Sequence, residues 1–332
     1  MVKYLIGDKM NTVFDKLNQI IKEYDNIIVT GHANPDLDSL GSCLGLIEII
    51  ESFNKNSYLF LDDKNLENYN TNINQAFNKM EKKVICVNKK SYKKISGKTL
   101  LIITDTHIKE RLEYPELVEC FDTIVIDHHI KSKNYIKNAK FMYIDTNLSS
   151  MSELITFYAK HNNIDLDNVI ATILLAGIEI DTNDFNLKTT SRTYLAASNL
   201  MDMGADSILK QELLKESKEE YMKKASFIRN SFMIDKDTAM CIVSGITESK
   251  ILAEIAEELL TFEDVESSYV IGKLDLDTVG VSARSLGNVD VSLAMKQMGG
   301  GGHMSNAATQ VKNKTIKEVK QEIIDIINNK TI

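Results

Sequence analysis

The sequence predicts an α/β protein, with a mostly parallel sheet in a larger N-terminal domain followed by a smaller α/β domain. Three observations carry this. Short, nearly continuous apolar runs alternate with helical patterns through the first two hundred residues, as expected of parallel strands covered on both faces. A long, charged, helical stretch at 206–234 then interrupts the alternation. Beyond it, new apolar runs start a second series. A chain of 332 residues fits one large or two ordinary domains, and 43% hydrophobic with 26% charged residues is ordinary globular composition.

In chain order, NIIVT (26–30) reads as the first strand. A polar loop follows, then a helix from about Ser39, with Leu40, Cys43, Leu44, Ile47 and Ile50 on one face. YLFLD (58–62), KVICV (83–87), TLLIITD (99–105), TIVID (123–127) and FMYID (141–145) read as further strands. Helices are expected near 150–161, 167–179 and 190–203. The stretch 206–234 reads as a bridging helix or linker. TAMCIVS, SSYVIGKLD and TVGVSARS are the strands of the second unit, with helices at 248–260 and 315–329 and a turn at Gly287-Asn288. The expected domains are therefore 1–205, a helical linker 206–234, and 235–332.

Composition narrows the function classes. A net charge of −8 gives no general electrostatic footprint for duplex nucleic acid. It leaves a phosphate-bearing substrate open, because bound cations reverse the sign of a local site. Cys43, Cys86, Cys120 and Cys241 form no CxxC pair, so reduced thiols and a cytoplasmic location are expected. The N-terminus is too charged for a secretory signal. No apolar run reaches about 18 residues, so no membrane span is expected.

Polar residues collect where predicted strands end. The first strand leads into His32-Ala33-Asn34-Pro35-Asp36-Leu37-Asp38, another ends at Asp105, and another at Asp127-His128-His129. Asp181 follows the apolar segment ATILLAGIEI. In open α/β sheets, ligands bind beyond the carboxyl ends of the strands, so these distant segments can converge. Taken singly, an aspartate at a strand end is usually a turn or cap residue. Taken together, mixed carboxylates and imidazoles suit a divalent ion such as manganese, with zinc, iron or cobalt also compatible. A carboxylate from Asp105 is placed to bridge two ions. His107 is ambiguous, and His161 reads as a solvated helix-end residue. The second conspicuous motif is Gly299-Gly300-Gly301-Gly302-His303, followed by Asn306. Four glycines admit close backbone approach and an anion-binding nest, against the alternative of a flexible loop. Arg284 is a candidate phosphate clamp, or else a surface strand residue.

Together these motifs resemble the DHH phosphoesterase superfamily, in particular members with a DHH-associated C-terminal domain. The resemblance runs from about residue 25 to the C-terminus. GHANPDLDSLGS, ITDTH, AGIEIDTNDFNLKTTSRTYLAAS, VGVSARSLG and GGGGHMSNAATQ are similar to the catalytic half of bacterial cyclic-di-AMP phosphodiesterases. Those enzymes commonly carry membrane helices, a PAS-like domain and a degenerate GGDEF domain upstream. None is in this sequence, so a stand-alone relative and a catalytic half are both expected forms, and the regulatory inputs are not carried over.

The resemblance implies a site in the cleft between the domains, with two Mn²⁺ ions, Co²⁺ or Mg²⁺ being substitutes. His32, Asp36 and Asp105 would hold one ion, and Asp38, Asp105, His128 and Asp181 the other. His129, Arg284 and His303 would act at the substrate phosphate beside the metal-bridging Asp105. Gly300, Gly301, Gly302 and Asn306 would also bind substrate. Asp127 would orient its segment. In Ser149-Ser150-Met151-Ser152-Glu153, Met151 departs from the hydroxyl-rich family pattern, while Glu153 is expected to orient the site or to act as a helix N-terminal acid. The implied reaction is hydrolysis of cyclic-di-AMP to linear pApA by a metal-activated hydroxide, and a homodimer is compatible with the resemblance. Alternatives are an oligoribonuclease or 3′-phosphoadenosine 5′-phosphate phosphatase of the same superfamily, a metal-dependent pyrophosphatase, and a non-catalytic nucleotide sensor.

Overall fold

The computed structural model describes residues 8–61, 71–80 and 84–328. The predicted strand ends at Asp62 and Lys83 and the predicted helix end at Asn329 lie outside the described residues. The chain divides into two compact units, Met1–Lys215 and Glu216–Ile332. Among the described residues, no helix is long and apolar enough to cross a membrane.

The first unit begins with α1 (Asp8–Lys22), β1 (Asn26–Thr30), α2 (Leu37–Ser52), β2 (Asn56–Phe60), α3 (Thr71–Lys79) and β3 (Cys86–Val87). It continues through β4 (Thr99–Thr104), α4 (Leu117–Cys120), β5 (Asp122–Asp127) and β6 (Phe141–Ile144). The helices α5 (Met151–His161), α6 (Asn168–Asp181), α7 (Ser191–Asp202) and α8 (Ser207–Leu213) complete it. The six strands are all parallel, in the order β3-β2-β1-β4-β5-β6. Their period-2 alternation explains the unbroken apolar runs. Ile27, Val29, Leu100, Ile102, Ile124 and Ile126 face a core shared with α1, α2, α5 and α6. Ile28, Leu101, Ile103 and Val125 face a second core with Phe60, Tyr92, Leu112 and Leu117. With both faces dry, charged residues in these strands are kept to the ends, where the chain leaves the sheet.

The strand order reverses between β1 and β4. From β1 the chain winds outward through β2 and β3, then returns to β4 and winds the other way. The loops after β1 and β4 therefore leave in opposite directions, opening a crevice at the carboxyl ends of these two strands. Helix α2 starts in that crevice and packs against α6. Their approach depends on Gly177: a Cβ there would lie 2.8 Å from the Asp38 Cα and 2.5 Å from the Ser152 Oγ.

Several local expectations change. The strand expected over 83–87 is reduced to two paired residues, because it is the sheet edge and Ile85 is 60% exposed. Helix α1, not among the predicted elements, buries Met10, Phe14, Leu17, Ile20 and Ile21 along one face. The stretch 206–234 is not one bridging helix. It contains α8, capped by Asp206, and α9 (Lys218–Arg229), capped by Ser217, with the division between the units falling between them.

The second unit continues with β7 (Phe232–Met233), β8 (Thr238–Ile246), α10 (Ser249–Leu259), β9 (Ser267–Lys273), β10 (Thr278–Ser285) and α11 (Val291–Gln297). It ends with β11 (Gly301–Gly302), β12 (Asn306–Lys312) and α12 (Ile316–Asn328). The sheet order is β11-β12-β10-β9-β8-β7, with β8 and β9 parallel through α10 and the other pairs antiparallel. Helices α11 and α12 cover one face and α10 the other. The segment expected as a binding loop from Asn306 is instead strand β12, with Ala307 and Thr309 turned inward.

Gly177 gives a test of the contact that positions the crevice. Ala is normally the better helix former. Here Gly177→Ala should instead destabilise the protein by about 1–3 kcal/mol, since backbone must move to admit the methyl group. Thermal unfolding by circular dichroism checks this; an unchanged or raised midpoint would show that α2 and α6 separate freely.

Candidate metal centre

Each site residue is aimed by a local structural device. Past β1, the Nδ1 of His32 donates to the Ala33 carbonyl at 2.9 Å, which turns Nε2 toward the site. That nitrogen lies 3.3 Å from Asp105 Oδ2 and 3.8 Å from Asp36 Oδ2. Asp36 caps α2, its Oδ1 accepting from the Ser39 amide at 2.9 Å, so only Oδ2 remains for the site. Asp38, buried in the first turn of α2, accepts from the amides of Met151 at 2.8 Å and Ser152 at 2.7 Å. Those are orphan N–H groups at the start of α5, where the helix dipole favours an anion.

Asp105 follows directly after β4 in the left-handed region, at φ +63°. This conformation is disfavoured for a residue with a Cβ, though Asp and Asn enter it most readily. Its amide still donates to the Ile126 carbonyl at 3.1 Å, so the turn begins with the strand ladder intact. The carboxylate then lies between two histidines, with Oδ2 facing His32 and Oδ1 3.3 Å from the Nε2 of His128. The same His128 nitrogen is 3.2 Å from Asp181 Oδ2, at the end of α6, and 4.0 Å from Asp38 Oδ2.

Three ligand-like groups result: His32, Asp36 and Asp105; Asp38, His128 and Asp181; and Asp105, Asp127, His128 and His129, each with one donor atom per residue within a mutual 4.8 Å. Asp105 belongs to the first and third and lies 3.3 Å from His128 of the second. Among the described residues, Asp105 Oδ1 and His128 Nε2 are buried with no hydrogen-bond partner. Buried polar atoms are nearly always satisfied, so lone pairs left to converge in this way fit a cation. Mixed oxygen and imidazole nitrogen donors are the set expected for a first-row divalent ion.

The electrostatics agree. Burial pushes the Asp38 carboxyl well up, reinforced by Asp181 and Asp105. Burial also raises Asp181. Burial works against a charged Asp105 too, but the adjacent imidazoles of His128 and His32 hold its carboxyl below the usual range. Burial would lower His32, yet Asp105 and Asp36 overcome it and lift the imidazole to about 11. His128 is raised in the same way by Asp105 and Asp181.

His129 and Asp127 do different work from His128. Asp127 is fully buried, and its Oδ1 accepts from the His129 amide at 3.0 Å and from its Nδ1 at 2.9 Å. The His129 side chain is 42% exposed, and its Nε2 is the nitrogen left available. The other Asp127 oxygen bonds the Nδ1 of His107. His107 in turn accepts the Ser132 amide at Nε2, 2.8 Å away, which fixes its proton on Nδ1. With both oxygens engaged, Asp127 orients His129. The sequence left His107 ambiguous; its one signal was its place two residues after a strand-end aspartate.

Glu153 is fully buried and accepts from the Ser149 hydroxyl at 2.6 Å and the Thr193 hydroxyl at 2.9 Å, with Arg192 Nε 3.7 Å away. It ties α7 to the start of α5, whose amides hold Asp38. Met151 serves Asp38 through its backbone, and its side chain packs in the core.

In the second unit, Arg284 is only 8% exposed and is not a surface strand residue. Its Nε donates to Glu257 at 2.9 Å, and its Nη1 to Ser282 Oγ at 3.0 Å and the Ala283 carbonyl at 3.1 Å. The glycine run also meets a packing need. The amides of Gly299 and Gly300 donate to Lys296 and Met295 at the end of α11. A Cβ on Gly300 would meet the Ala308 carbonyl at 2.2 Å, and one on Gly302 the Asn306 carbonyl at 2.4 Å. The glycines let β11 lie against β12. His303 and Asn306 then close the exposed turn between these strands, the His303 amide donating to the Asn306 carbonyl at 2.7 Å.

The raised histidines set a pH test. Below about pH 11 the isolated site holds a proton on His32, and a ligating ion must displace it. Binding of Mn²⁺ to chelator-treated protein should therefore release protons and tighten as pH rises. Calorimetry in buffers of different ionisation enthalpy reads the proton count; binding without proton release would be inconsistent with imidazole ligation.

Comparisons with known proteins agree with this geometry. Residues 26–178 match the DHH family, N-terminal domain, and residues 237–331 match the DHHA1 domain. The chain is 35% identical to the cyclic-di-AMP phosphodiesterase GdpP of Geobacillus thermodenitrificans, over 94% of this chain and 49% of that protein. It is 28% identical to the probable bifunctional oligoribonuclease and PAP phosphatase NrnA of Streptococcus mutans, over 95% of this chain and 99% of that one. The chain thus spans about half the length of the first of these relatives. The crystal structure of an exopolyphosphatase-related protein from Bacteroides fragilis shares the fold, with a TM-score of 0.76 at 16% identity, covering 95% of this chain and 96% of that one. The two domain matches, the shared fold and the relatives over most of its length place this chain in the DHH phosphoesterase family, its DHH domain followed by a DHHA1 domain.

Proposed function

We propose that the protein is a manganese-dependent phosphodiesterase that hydrolyses cyclic-di-AMP to linear pApA. The observation that carries this reading is the single carboxylate of Asp105 set between two ligand groups at the crevice of a parallel sheet. The likeness to GdpP supports the substrate. His32, Asp36 and Asp105 would hold one Mn²⁺, and Asp38, Asp105, His128 and Asp181 a second. Bound there, the ions would lower the pKa of water and offset charge on the phosphoryl oxygens.

The residues of the chain do the rest. Water attacks phosphorus in line with the ribose 3′-oxygen; the P–O3′ bond breaks, the 3′-oxygen takes a proton, and the phosphate stays on the 5′ side. His129, braced through Nδ1 by Asp127, presents Nε2 to the phosphate. There it would meet the charge that develops on the phosphoryl oxygens, while the buried Asp127 holds the ring in place. Arg284, His303, Gly300, Gly301, Gly302 and Asn306 are the substrate contacts that this reading assigns to the second unit. Arg284 would donate through its guanidinium edge not engaged by Glu257. A second reading, hydrolysis of short oligoribonucleotides or 3′-phosphoadenosine 5′-phosphate, is favoured by one fact: the chain covers nearly the whole length of NrnA. Comparing turnover of cyclic-di-AMP, pApA and 3′-phosphoadenosine 5′-phosphate under Mn²⁺ separates the two.

Asp105→Asn keeps a residue tolerant of the left-handed turn and should stay folded. It should lose roughly a thousandfold or more in turnover at saturating Mn²⁺, as removal of several kcal/mol of transition-state stabilisation requires. Near-normal turnover would sink the assignment. His107 gives a finer test, because an Asn side chain can replace its Nδ1 donor whereas Ala cannot. His107→Ala should lower kcat about 10- to 100-fold, and His107→Asn should restore most of it. Equal losses in both variants would mean that His107 serves only the loop at Ser132.

A further inference from the structure

The first unit also contains a cavity of about 790 Å³ that the metal centre does not use. It lies between residues 146–148, just past β6, and residues 185–194, which join α6 to α7. Its walls include Asn147, Phe185, Lys188, Thr190, Arg192 and Tyr194, and no described residue lining it is acidic, although the chain carries a net charge of −8.

Two aromatic rings form one side. Phe185 and Tyr194 stack with centroids 5.5 Å apart and planes 12° from parallel. Phe185 packs against the main core of the unit, while Tyr194 is 59% exposed. One face of the tyrosine is therefore backed by a fixed ring and the other is open. A large exposed ring contributes little to folding, whereas a backed ring is a rigid stacking platform. The turn that presents Phe185 is conformationally unusual. Asn183, Asp184 and Phe185 all have left-handed φ values, at +47°, +57° and +60°, as does Lys188 at +52°. Thr182 holds the turn, its hydroxyl accepting the Phe185 amide at 3.0 Å and its carbonyl the Leu187 amide at 2.7 Å. Backbone held this far from its preference collects at ligand clamps.

Charge and position add to the argument. Arg192 is fixed, donating to the Asn147 carbonyl at 2.9 Å and lying 3.7 Å from Glu153. Lys188 supplies a second cation on the cavity wall. The strained turn begins one residue after Asp181, and Glu153 sits next to Ser152, whose amide holds Asp38. The cavity is thus built on the same segments as the metal centre. An aromatic platform with cations and no carboxylates suits a flat heterocycle that carries a phosphate.

We propose that this cavity is a nucleotide subsite, with a purine stacked on the open face of Tyr194 and its phosphate directed to Lys188. The proposal rests on the phosphodiesterase reading and deepens it: this nucleotide is the one whose phosphate is not attacked, so the subsite selects dinucleotides over simple phosphodiesters.

The test uses the full chain with Mn²⁺ and the variants Tyr194→Ala, Tyr194→Phe and Lys188→Gln. With cyclic-di-AMP, Tyr194→Ala should raise KM roughly tenfold or more, in line with loss of one base stack, with kcat changed much less. Tyr194→Phe should behave as the parent, and Lys188→Gln should raise KM severalfold. With methyl p-nitrophenyl phosphate, a diester without a nucleoside, all three should match the parent. Equal losses on both diesters would overturn the proposal. Calorimetric binding of adenosine gives an arm independent of turnover, and it should weaken in Tyr194→Ala by a similar factor. If the parent hydrolyses no diester but adenosine binding is lost in Tyr194→Ala, the phosphodiesterase reading falls and the base site stands. If adenosine binds both proteins equally or neither, the base site falls.

Discussion

The geometry of the first unit hangs on one carboxylate held between two imidazoles. Asp105 reaches that position only because β4 lies beside β1 at the reversal of strand order and because its backbone turns left-handed on leaving the sheet. The first condition brings His32 and the start of α2 alongside. The second swings the side chain over the strand end instead of away from it. Neither is favourable in itself, since the crevice exposes strand ends and the turn is strained. Dry cores on both faces of the sheet make them possible, by leaving β1, β4 and β5 no freedom to shift.

Around Asp105 the protein resolves an electrostatic conflict. Four carboxylates and two histidines crowd together, with Asp38, Asp105 and His128 buried among them. Helix termini solve part of it: Asp36 caps α2, and Asp38 sits at the start of α5. Hydrogen bonding thus settles which oxygen of each carboxylate turns inward. On the outer side, the chain from His107 through Asp127 to His129 fixes an exposed imidazole beside the ligands.

Much of this was legible in the sequence, for a physical reason. A strand buried on both faces keeps charged residues to its ends, so His32, Asp105 and Asp127-His128-His129 stood out against apolar runs. Asp181 was visible as the polar end of an apolar helix. What stayed hidden was pairing and packing. His107 gave no sign of its bond to Asp127, because that bond joins the loops after two neighbouring strands. The run of glycines read as a nest, and its packing role stayed hidden, because the close approach of Gly300 and Gly302 to β12 is a contact between strands. Helix α1 escaped notice among polar residues and α11 because it is only seven residues long, and the charged stretch 206–234 hid two separately capped helices behind one continuous helical pattern.

Met151 has a wider consequence. It departs from the family pattern at a hydroxyl position, yet the service it gives Asp38 comes from its amide. Motifs written as side-chain letters do not record such a contribution. By this geometry, evolution at position 151 is free to exchange one core-filling residue for another. Proline alone is barred by chemistry and not by size, because it has no hydrogen to give.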